Sequence, residues 1–315
     1  MFGKFSETIG DKLAELWTTR ALTPAFAFWL MGAFLAYRKL GGDDALATMF
    51  MHWPLLLQAA ALIAAFIVVV ASGQLVRSFG RPVIRLLEGY EPPGLGWLFA
   101  WVRGSSTKHW NRMSQRFKEL ADRYEKASSI ERHEYARLHL ELSTLWPANA
   151  EDLMPTRIGN MLRAAETRAA ERYGLDLAVV WPAFWLVLPE EAQGRLVETQ
   201  EMMIDAVTLM LWALLASVAW CPLSAWTPLA LVVALIGYLR LRSATKGFAA
   251  AISACIDVYR LRLYAELRLP PPKGPAAERT TGLLVTQFVL EGLDDESVVF
   301  KEQAPTAANG GGTGQ

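Results

Sequence analysis

The sequence predicts an all-α integral membrane protein in which two transmembrane helical hairpins flank a helical cytoplasmic domain. The prediction depends on apolar stretches without Asp, Glu, Lys or Arg at 21–37, 45–76 and 206–239. A membrane-spanning helix needs about 20 consecutive apolar residues. The third stretch is too long for one span and contains Pro222 and Pro228, which interrupt helices. We therefore predict four spans, two in each hairpin.

The N-terminal region is predicted to lie on the membrane surface before the first hairpin begins. Phe2 and Trp17 share one helical face of residues 1–20, with charged residues elsewhere, a pattern typical of an amphipathic interfacial helix. A frayed terminus is the alternative. Residues 21–76 then form transmembrane hairpin 1, and its turn is predicted at 41–44 because Gly and Asp cluster there.

Lys and Arg near the helix ends predict the orientation of the spans. Arg77 and Arg81 follow the second span, Arg240 and Arg242 follow the fourth, and the tip of the second hairpin carries no charge. Two cations at the tip of the first hairpin oppose this pattern. The balance places both termini and the middle domain in the cytoplasm, with the spans crossing the inner (plasma) membrane.

The cytoplasmic domain is predicted at 77–201 and contains a helical hairpin. Apolar residues recur at spacings of three and four over 110–124 and again over 135–145. Ser128 and Glu131 have the spacing of a capping box that begins the second helix. Seams of this coiled-coil type predict two antiparallel helices. We expect the seam to form internal core rather than a surface for a partner.

Residues 177–188 are as apolar as the spans but too short to cross a bilayer. About 12 helical residues reach about 18 Å, whereas the hydrocarbon core is about 30 Å thick. Pro182 is also expected to break the helix midway. We predict a buried core element of the cytoplasmic domain. The alternative is an interfacial or re-entrant segment with Trp181 and Trp185 at the level of the lipid headgroups.

The most distinctive stretch begins near residue 149. Polar residues and Pro155 predict the start of a helix, which ends near Gly174. Its arginines are numerous enough for a phosphate or lipid-headgroup patch, and the alternative is a solvated face paired with Glu166 and Glu171. The candidate structural or interaction residues are Pro155, Arg157, Gly159, Asn160, Arg163, Glu166, Arg172, Tyr173, Asp176 and Trp181.

The same stretch carries a resemblance to other proteins. The motifs PTRIGNMLRAAE, RYGLD and VVWP, over about residues 154–182, resemble a block found in a family of uncharacterised bacterial multi-span membrane proteins. The resemblance implies membership of that family and no chemistry, because the block is not a motif with an established mechanism.

The C-terminal part is predicted to leave transmembrane hairpin 2, at 202–242, as a continuing helix. Apolar side chains share one side of 247–269, three consecutive prolines follow, and a short apolar element at 283–290 is expected to dock on the middle domain. Residues 243–302 therefore form a cytoplasmic helix and docking segment. The Gly-rich tail at 303–315 is predicted to be disordered.

No sequence pattern indicates catalysis, a cofactor or a metal. The chain lacks a P-loop, a dinucleotide-binding glycine motif and a G-x-S-x-G nucleophile motif. His133 and His139 are six residues apart, so they lie on different helical faces and do not form a zinc-binding pair. Cys221 and Cys255 are expected to be separate, inert thiols. The 31 basic and 31 acidic residues leave no excess charge that would indicate nucleic-acid binding.

These features predict a non-enzymatic membrane protein whose cytoplasmic domain binds a partner or itself, as an anchor, sensor or scaffold. The spans contain few ionisable groups, which argues against a transporter and against an intramembrane enzyme. The alternative function is an oligomeric pore-forming effector gated by the cytoplasmic domain. A third possible function, an enzyme acting on lipids, is supported only by the arginines of the helix that ends near Gly174. The expected partners are the lipid bilayer and either a second copy of the chain or a cytoplasmic protein.

Overall fold

The computed structural model describes residues 22–39, 51–90, 96–220 and 227–292. Every regular element in these ranges is helical, and they contain no strand. The helices are α1 (Leu22–Lys39), α2 (Leu55–Ser78), α3 (Gly80–Glu88), α4 (Gly96–Asp122), α5 (Ser129–Leu145), α6 (Arg157–Tyr173), α7 (Leu177–Val187), α8 (Glu190–Trp220), α9 (Thr227–Glu266) and α10 (Pro275–Glu291), with short 3₁₀ turns at Tyr124–Lys126 and Ala150–Asp152.

The chain divides into two compact units. Unit 1 comprises Met1–Leu95 and Glu198–Thr245, and unit 2 comprises Gly96–Val197 and Lys246–Gln315. The long helices α8 and α9 contribute residues to both units. The predicted surface helix at 1–20, the first turn at 41–44, the tip with Cys221 and the tail at 303–315 lie outside the described residues.

Three described helices are long and apolar enough to cross a membrane, judged by length and composition. They are Leu55–Glu88, which comprises α2 and α3, Glu190–Trp220 and Thr227–Glu266. The prediction of an all-α chain with several apolar, membrane-length helices is confirmed to this extent. Helix α1 forms where the first span is predicted, but it is not among the three, because its 18 residues end in Arg38 and Lys39.

The first helix of the predicted second hairpin is longer than expected. The sequence placed its start at about Met202, whereas α8 begins at Glu190. Charged residues at 190–201 have good helix propensity and extend α8 without a break. The predicted continuation of a helix beyond 247 is confirmed, since α9 is one uninterrupted helix of 40 residues.

Unit 1 is built from antiparallel contacts between apolar helices. Val69 of α2 packs against Trp212 of α8, and further along α2 the Arg77 Nη1 atom lies 2.6 Å from Asp205 Oδ1. On the other side of α8, a Cβ added at Gly237 of α9 would lie 3.0 Å from the backbone of Met210. Small residues permit this close approach of membrane helices.

One part of unit 2 is the antiparallel hairpin of α4 and α5. Ser128 and Glu131 form both hydrogen bonds of a capping box at the start of α5. The Phe117 ring stacks on Tyr135 with 4.9 Å between centroids. The seam encloses a core cluster of Met113, Leu120, Leu138, Trp146 and Leu153. The predicted hairpin and the internal role of its seam are therefore confirmed.

A second core of unit 2 forms around α7. Val180 and Phe184 are each 1% exposed, whereas Leu186 is 82% exposed, so one face of α7 forms part of the core, as the sequence predicts. The expected break at Pro182 is wrong, because Pro182 lies inside the continuous helix Leu177–Val187. A proline there removes one intrahelical hydrogen bond, to Ala178, and its side chain is exposed.

Candidate functional site

The predicted candidate residues begin at the N-terminal end of α6, where Asn160 is completely buried. Its Oδ1 accepts a hydrogen bond from the Met154 backbone N–H at 2.9 Å. Its amide nitrogen donates to Met154 O at 2.9 Å, Thr156 O at 2.8 Å and Ser106 Oγ at 2.9 Å. All of its hydrogen-bonding capacity serves to hold the preceding loop and α4. Asn160 is therefore a structural residue.

The helix start differs slightly from the prediction. Pro155 was expected to open the helix, but Thr156 is the N-cap, and its hydroxyl accepts from the Gly159 backbone N–H at 3.0 Å. Pro155 and Gly159 are both buried, Pro155 just before the cap and Gly159 in the first turn. A cap of this kind satisfies one backbone N–H that the first turn of a helix leaves unpaired.

The arginines of α6 do not converge on one site. Arg163 lies 2.7 Å from Asp152 and 3.0 Å from Glu166, and Arg157 lies 3.6 Å from Glu141. Burial acts to lower the pKa of Arg163, but hydrogen bonds and charge from the two carboxylates outweigh it and raise the pKa. These contacts favour the interpretation of a face paired with acidic residues over a phosphate patch.

Arg168 has neutral hydrogen-bond partners. Its guanidinium donates to the Ser143 carbonyl and, at 3.2 Å, to Ser253 Oγ. Burial, with Arg172 nearby, lowers the pKa of Arg168. Burial, with Asp152 nearby, raises the pKa of Glu171. Arg172 is exposed, so Arg168 and Arg172 point into different surroundings.

A partly buried polar junction joins the end of α6 to α9 and α10. The Tyr173 hydroxyl donates to Asp257 Oδ1 at 2.6 Å, and the Arg260 guanidinium carbon lies 4.2 Å from the Tyr173 ring centroid. Arg260 Nε donates to Glu278 Oε1 at 2.5 Å. Burial, followed by the hydrogen bond to Asp257, raises the pKa of Tyr173. The fully buried Tyr264 lies beside this network. The sequence identified Tyr173 as a candidate residue but did not identify its partners, which lie on segments distant in the sequence.

Helix α10 contacts the end of α6 at two glycines. A Cβ added at Gly282 would overlap the Tyr173 carbonyl oxygen, and one at Gly174 would overlap the Arg279 carbonyl oxygen. Gly174 also has a φ of 72°, which glycine adopts most easily. The Thr286 hydroxyl donates to Gly174 O at 3.1 Å. These contacts place the predicted docking element 283–290 against the start of the α7 segment.

The last two candidate residues belong to α7. Asp176 is its N-cap, because Oδ1 accepts from the Ala178 backbone N–H at 2.9 Å. The Asp176 backbone N–H in turn donates to Thr286 Oγ1 at 3.1 Å. The partly buried Trp181 ring lies 6.0 Å from Phe184. Both residues hold α7 in the core of unit 2.

The ionisable groups of this region form contacts within unit 2. Each acid described above is paired with an arginine, a tyrosine or a helix N-terminus, except Glu171, which lies 3.5 Å from the Asn149 amide. Within the described ranges, no three His, Cys, Asp or Glu residues are grouped to hold a metal ion. The buried thiol of Cys255 is free.

Sequence reasoning missed an exposed face on the unit 2 part of α9. We call it the α9 stripe, and it consists of Gly247, Ala250, Ala254, Val258, Leu261 and Ala265, all exposed. Val258 is 66% exposed and Leu261 is 47% exposed. The opposite side of the helix is buried through Ile256 and Leu263. The detectable signal was a second series of small or apolar residues at spacings of three and four, which makes one helical face.

The α9 stripe has the shape that close helix packing requires. Nothing lies within 4 Å of a Cβ added at Gly247, so this face is open among the described residues. Small side chains let two helix backbones approach closely, and Val258 and Leu261 supply apolar surface. Comparison of the chain with protein-family models, with curated proteins and with solved structures finds no match.

Proposed function

We propose that the chain is a non-enzymatic multi-span membrane protein whose unit 2 binds a helix of another protein or of a second copy of the chain. The α9 stripe is the single observation that carries this proposal. In this role the protein acts as an anchor or scaffold, with its spans in the inner (plasma) membrane and unit 2 in the cytoplasm.

Embedding of unit 1 in a bilayer is supported by its apolar surface. Leu55 and Leu56 are each 81% exposed, and Leu62, Ile63, Ile67 and Leu75 are also exposed on α2. Apolar surface in water costs roughly 25 cal/mol per Å². Lipid hydrocarbon removes that cost, so a membrane is the environment in which this helix is stable.

A binding role for unit 2 is supported by the state of its polar groups. Arg163, Arg260 and Tyr173 each contact a carboxylate at 2.5–3.0 Å. Groups engaged in this way stabilise the domain. The described part of unit 2 also exposes apolar surface on the α9 stripe, and burial of such surface drives protein association.

The α9 stripe also indicates what kind of partner fits. Its small residues lie at intervals of about one helical turn, which suits a packed helix better than an irregular loop. Lys246 and Asp257 are exposed beside it, so a partner helix with charges at the edge of an apolar face would match. A helix that docks in a groove or on a face makes its contacts through residues at such spacings.

A photo-crosslinking residue at Ala254 tests the proposal in native membranes. We expect an adduct whose mass identifies a partner protein or a dimer of the chain. The matched control is the same crosslinking residue at position 266, where Glu266 is also exposed and lies about 120° from Ala254 around a helix of 3.6 residues per turn. An adduct from Glu266 but not from Ala254 would contradict the assignment of the stripe.

A substitution provides the second arm of this test. Ala254→Arg places a long charged side chain at the centre of the stripe and is expected to abolish co-purification of the crosslinked partner. Glu266→Arg introduces the same side chain and should retain co-purification of the partner. Equal recovery of the partner with both variants would show that binding occurs elsewhere.

The pore-forming alternative is favoured by one observation on unit 1. Only 6% of the most apolar window of Leu55–Glu88 is buried within the chain, which leaves a face for assembly of several copies. Expression in cells with a potential-sensitive dye separates the two functions. Depolarisation that requires correctly inserted protein supports a pore, and an unchanged potential supports the anchor or scaffold.

A further inference from the structure

Unit 1 contains an apolar pocket between α1, α8 and α9. Its volume is about 180 Å³. Phe28 of α1 forms an aromatic wall with two residues of α8, its ring lying 4.9 Å from Trp212 and 5.4 Å from Trp220. Ala216 and Ala230 line the pocket from α8 and α9, and their small side chains leave the space that the aromatic rings surround.

The chemistry of the lining favours hydrocarbon over water. A buried water needs two to four polar partners, and cavities of about 150 Å³ lined by aliphatic and aromatic side chains stay dry and bind benzene or xenon. Apart from the tryptophans, Thr227 has the one polar side chain among the described residues that line this pocket. An apolar occupant restores the dispersion contacts that empty walls lack.

The pocket is continuous with the outer apolar surface of unit 1. One lining residue, Leu229, is 49% exposed. Leu30 of α1 and Val232 of α9, each adjacent in the sequence to a lining residue, are 67% and 52% exposed. Large aliphatic side chains of this kind face lipid, whereas small residues mark contacts between membrane helices. The opening therefore leads to the hydrocarbon phase that surrounds the spans.

We propose that this pocket binds an acyl chain of a membrane lipid, which enters sideways between α1 and α9. The inference rests on the proposed membrane embedding of unit 1. The aromatic wall of Phe28, Trp212 and Trp220 packs against the methylene groups, and the lipid headgroup stays outside the pocket. The lipid is then a bound ligand of unit 1 and differs from the lipids that merely surround it.

Tryptophan fluorescence in vesicles of phosphatidylcholine with brominated acyl chains tests this inference. One full-length reporter retains only Trp212, which is 4% exposed, and a second retains only Trp29, which is 38% exposed. We expect quenching of both. Ala216→Phe fills the pocket and should reduce the quenching of Trp212 at least about twofold. Ala219→Phe adds the same ring at an exposed position of α8 and should leave the quenching unchanged.

The two reporters separate the possible failures. Quenching of Trp29 without quenching of Trp212 would leave the membrane embedding intact and overturn the lipid pocket. Equal effects of Ala216→Phe and Ala219→Phe would also overturn it. No quenching of Trp29 would remove the proposed embedding, and the pocket inference with it. Ala230→Phe fills the pocket from α9 instead of α8. It should reduce the quenching of Trp212 as Ala216→Phe does, so a disturbance of α8 by Ala216→Phe would not explain the result.

Discussion

At the residue scale, Asn160 anchors the loop that precedes α6. Asn160→Ala would leave the buried backbone N–H and carbonyl of Met154 without their hydrogen bonds. Each unsatisfied buried group costs about 1–3 kcal/mol. We expect the local free energy of opening to fall by about 2–4 kcal/mol, measured by hydrogen exchange of the first α6 amides. The control is Asn111→Ala, at an exposed position of α4, where the expected change is below about 0.5 kcal/mol.

Glu131 makes the start of α5 sensitive to acid. Hydrogen bonds from the Ser128 backbone N–H and hydroxyl lower the pKa of Glu131 from its ordinary value of 4.5. A carboxylate with a lowered folded-state pKa stabilises the fold above its unfolded pKa, and this contribution is lost as the pH falls through the folded value. We therefore expect amide protection in the first turn of α5 to decrease below pH 4.5.

The matched variant for this prediction is Glu131→Gln. Glutamine keeps the capping-box hydrogen bond but does not titrate, so the acid-dependent loss of protection in the first turn should disappear. Other carboxylates titrate in the same way in both proteins and cancel in the comparison. An identical loss in wild type and variant would assign the acid sensitivity to another group, such as Glu134 beside Arg116.

Some of these residue roles follow from the sequence and others do not. The Ser128 capping box and the pairing of Arg163 with Glu166 are local, since their partners lie three residues apart. The Tyr173 hydroxyl and Asp257 are 84 residues apart. No spacing rule connects residues at that separation, so only the packing of α6 on α9 reveals the pair.

At the scale of elements, the docking of α10 depends on Gly282. The Cβ of Gly282→Ala would overlap the Tyr173 carbonyl, a backbone atom that has little freedom to move. We expect a loss of about 1–3 kcal/mol, as for other overpacked sites. The measurement is hydrogen exchange of the α10 amides in the full-length protein. Gly194→Ala is the control, because nothing lies within 4 Å of its added Cβ and alanine favours helix. Equal protection in both variants would refute the close contact.

The positions of the helices were more predictable than their ends. Apolar periodicity depends on which side chains face a core, and it located α4, α5 and α6. Pro182 misled the sequence reading of α7, because burial of Val180 and Phe184 in the unit 2 core outweighs one lost hydrogen bond. The extension of α8 to Glu190 was not predicted, because the span was bounded by its apolar residues. The charged turns before it continue the same helix.

At the scale of the whole molecule, α1 decides between three and four crossings in the proposed membrane arrangement. It packs on α2, with the Trp29 indole N–H donating to Ser72 Oγ at 3.0 Å and the Phe26 ring 6.2 Å from Phe66. These contacts place α1 beside α2, which belongs to one of the three helices of membrane length. Charge at its C-terminal end separates it from the three apolar helices of membrane length, although Arg and Lys near helix ends extend their charged groups to the interface.

The crossing of α1 has a consequence at the two ends of the chain. Four crossings place both termini on one side, whereas three place them on opposite sides. We predict that an epitope tag at Gly3 and one at Gly311 are both inaccessible from outside intact cells and both accessible after permeabilisation, because the cations after the second and fourth spans favour the cytoplasm. Labelling of one tag alone in intact cells would show that α1 does not cross. Labelling of both would keep the even count and reverse the orientation, which would place unit 2, and any partner of the α9 stripe, outside the cytoplasm.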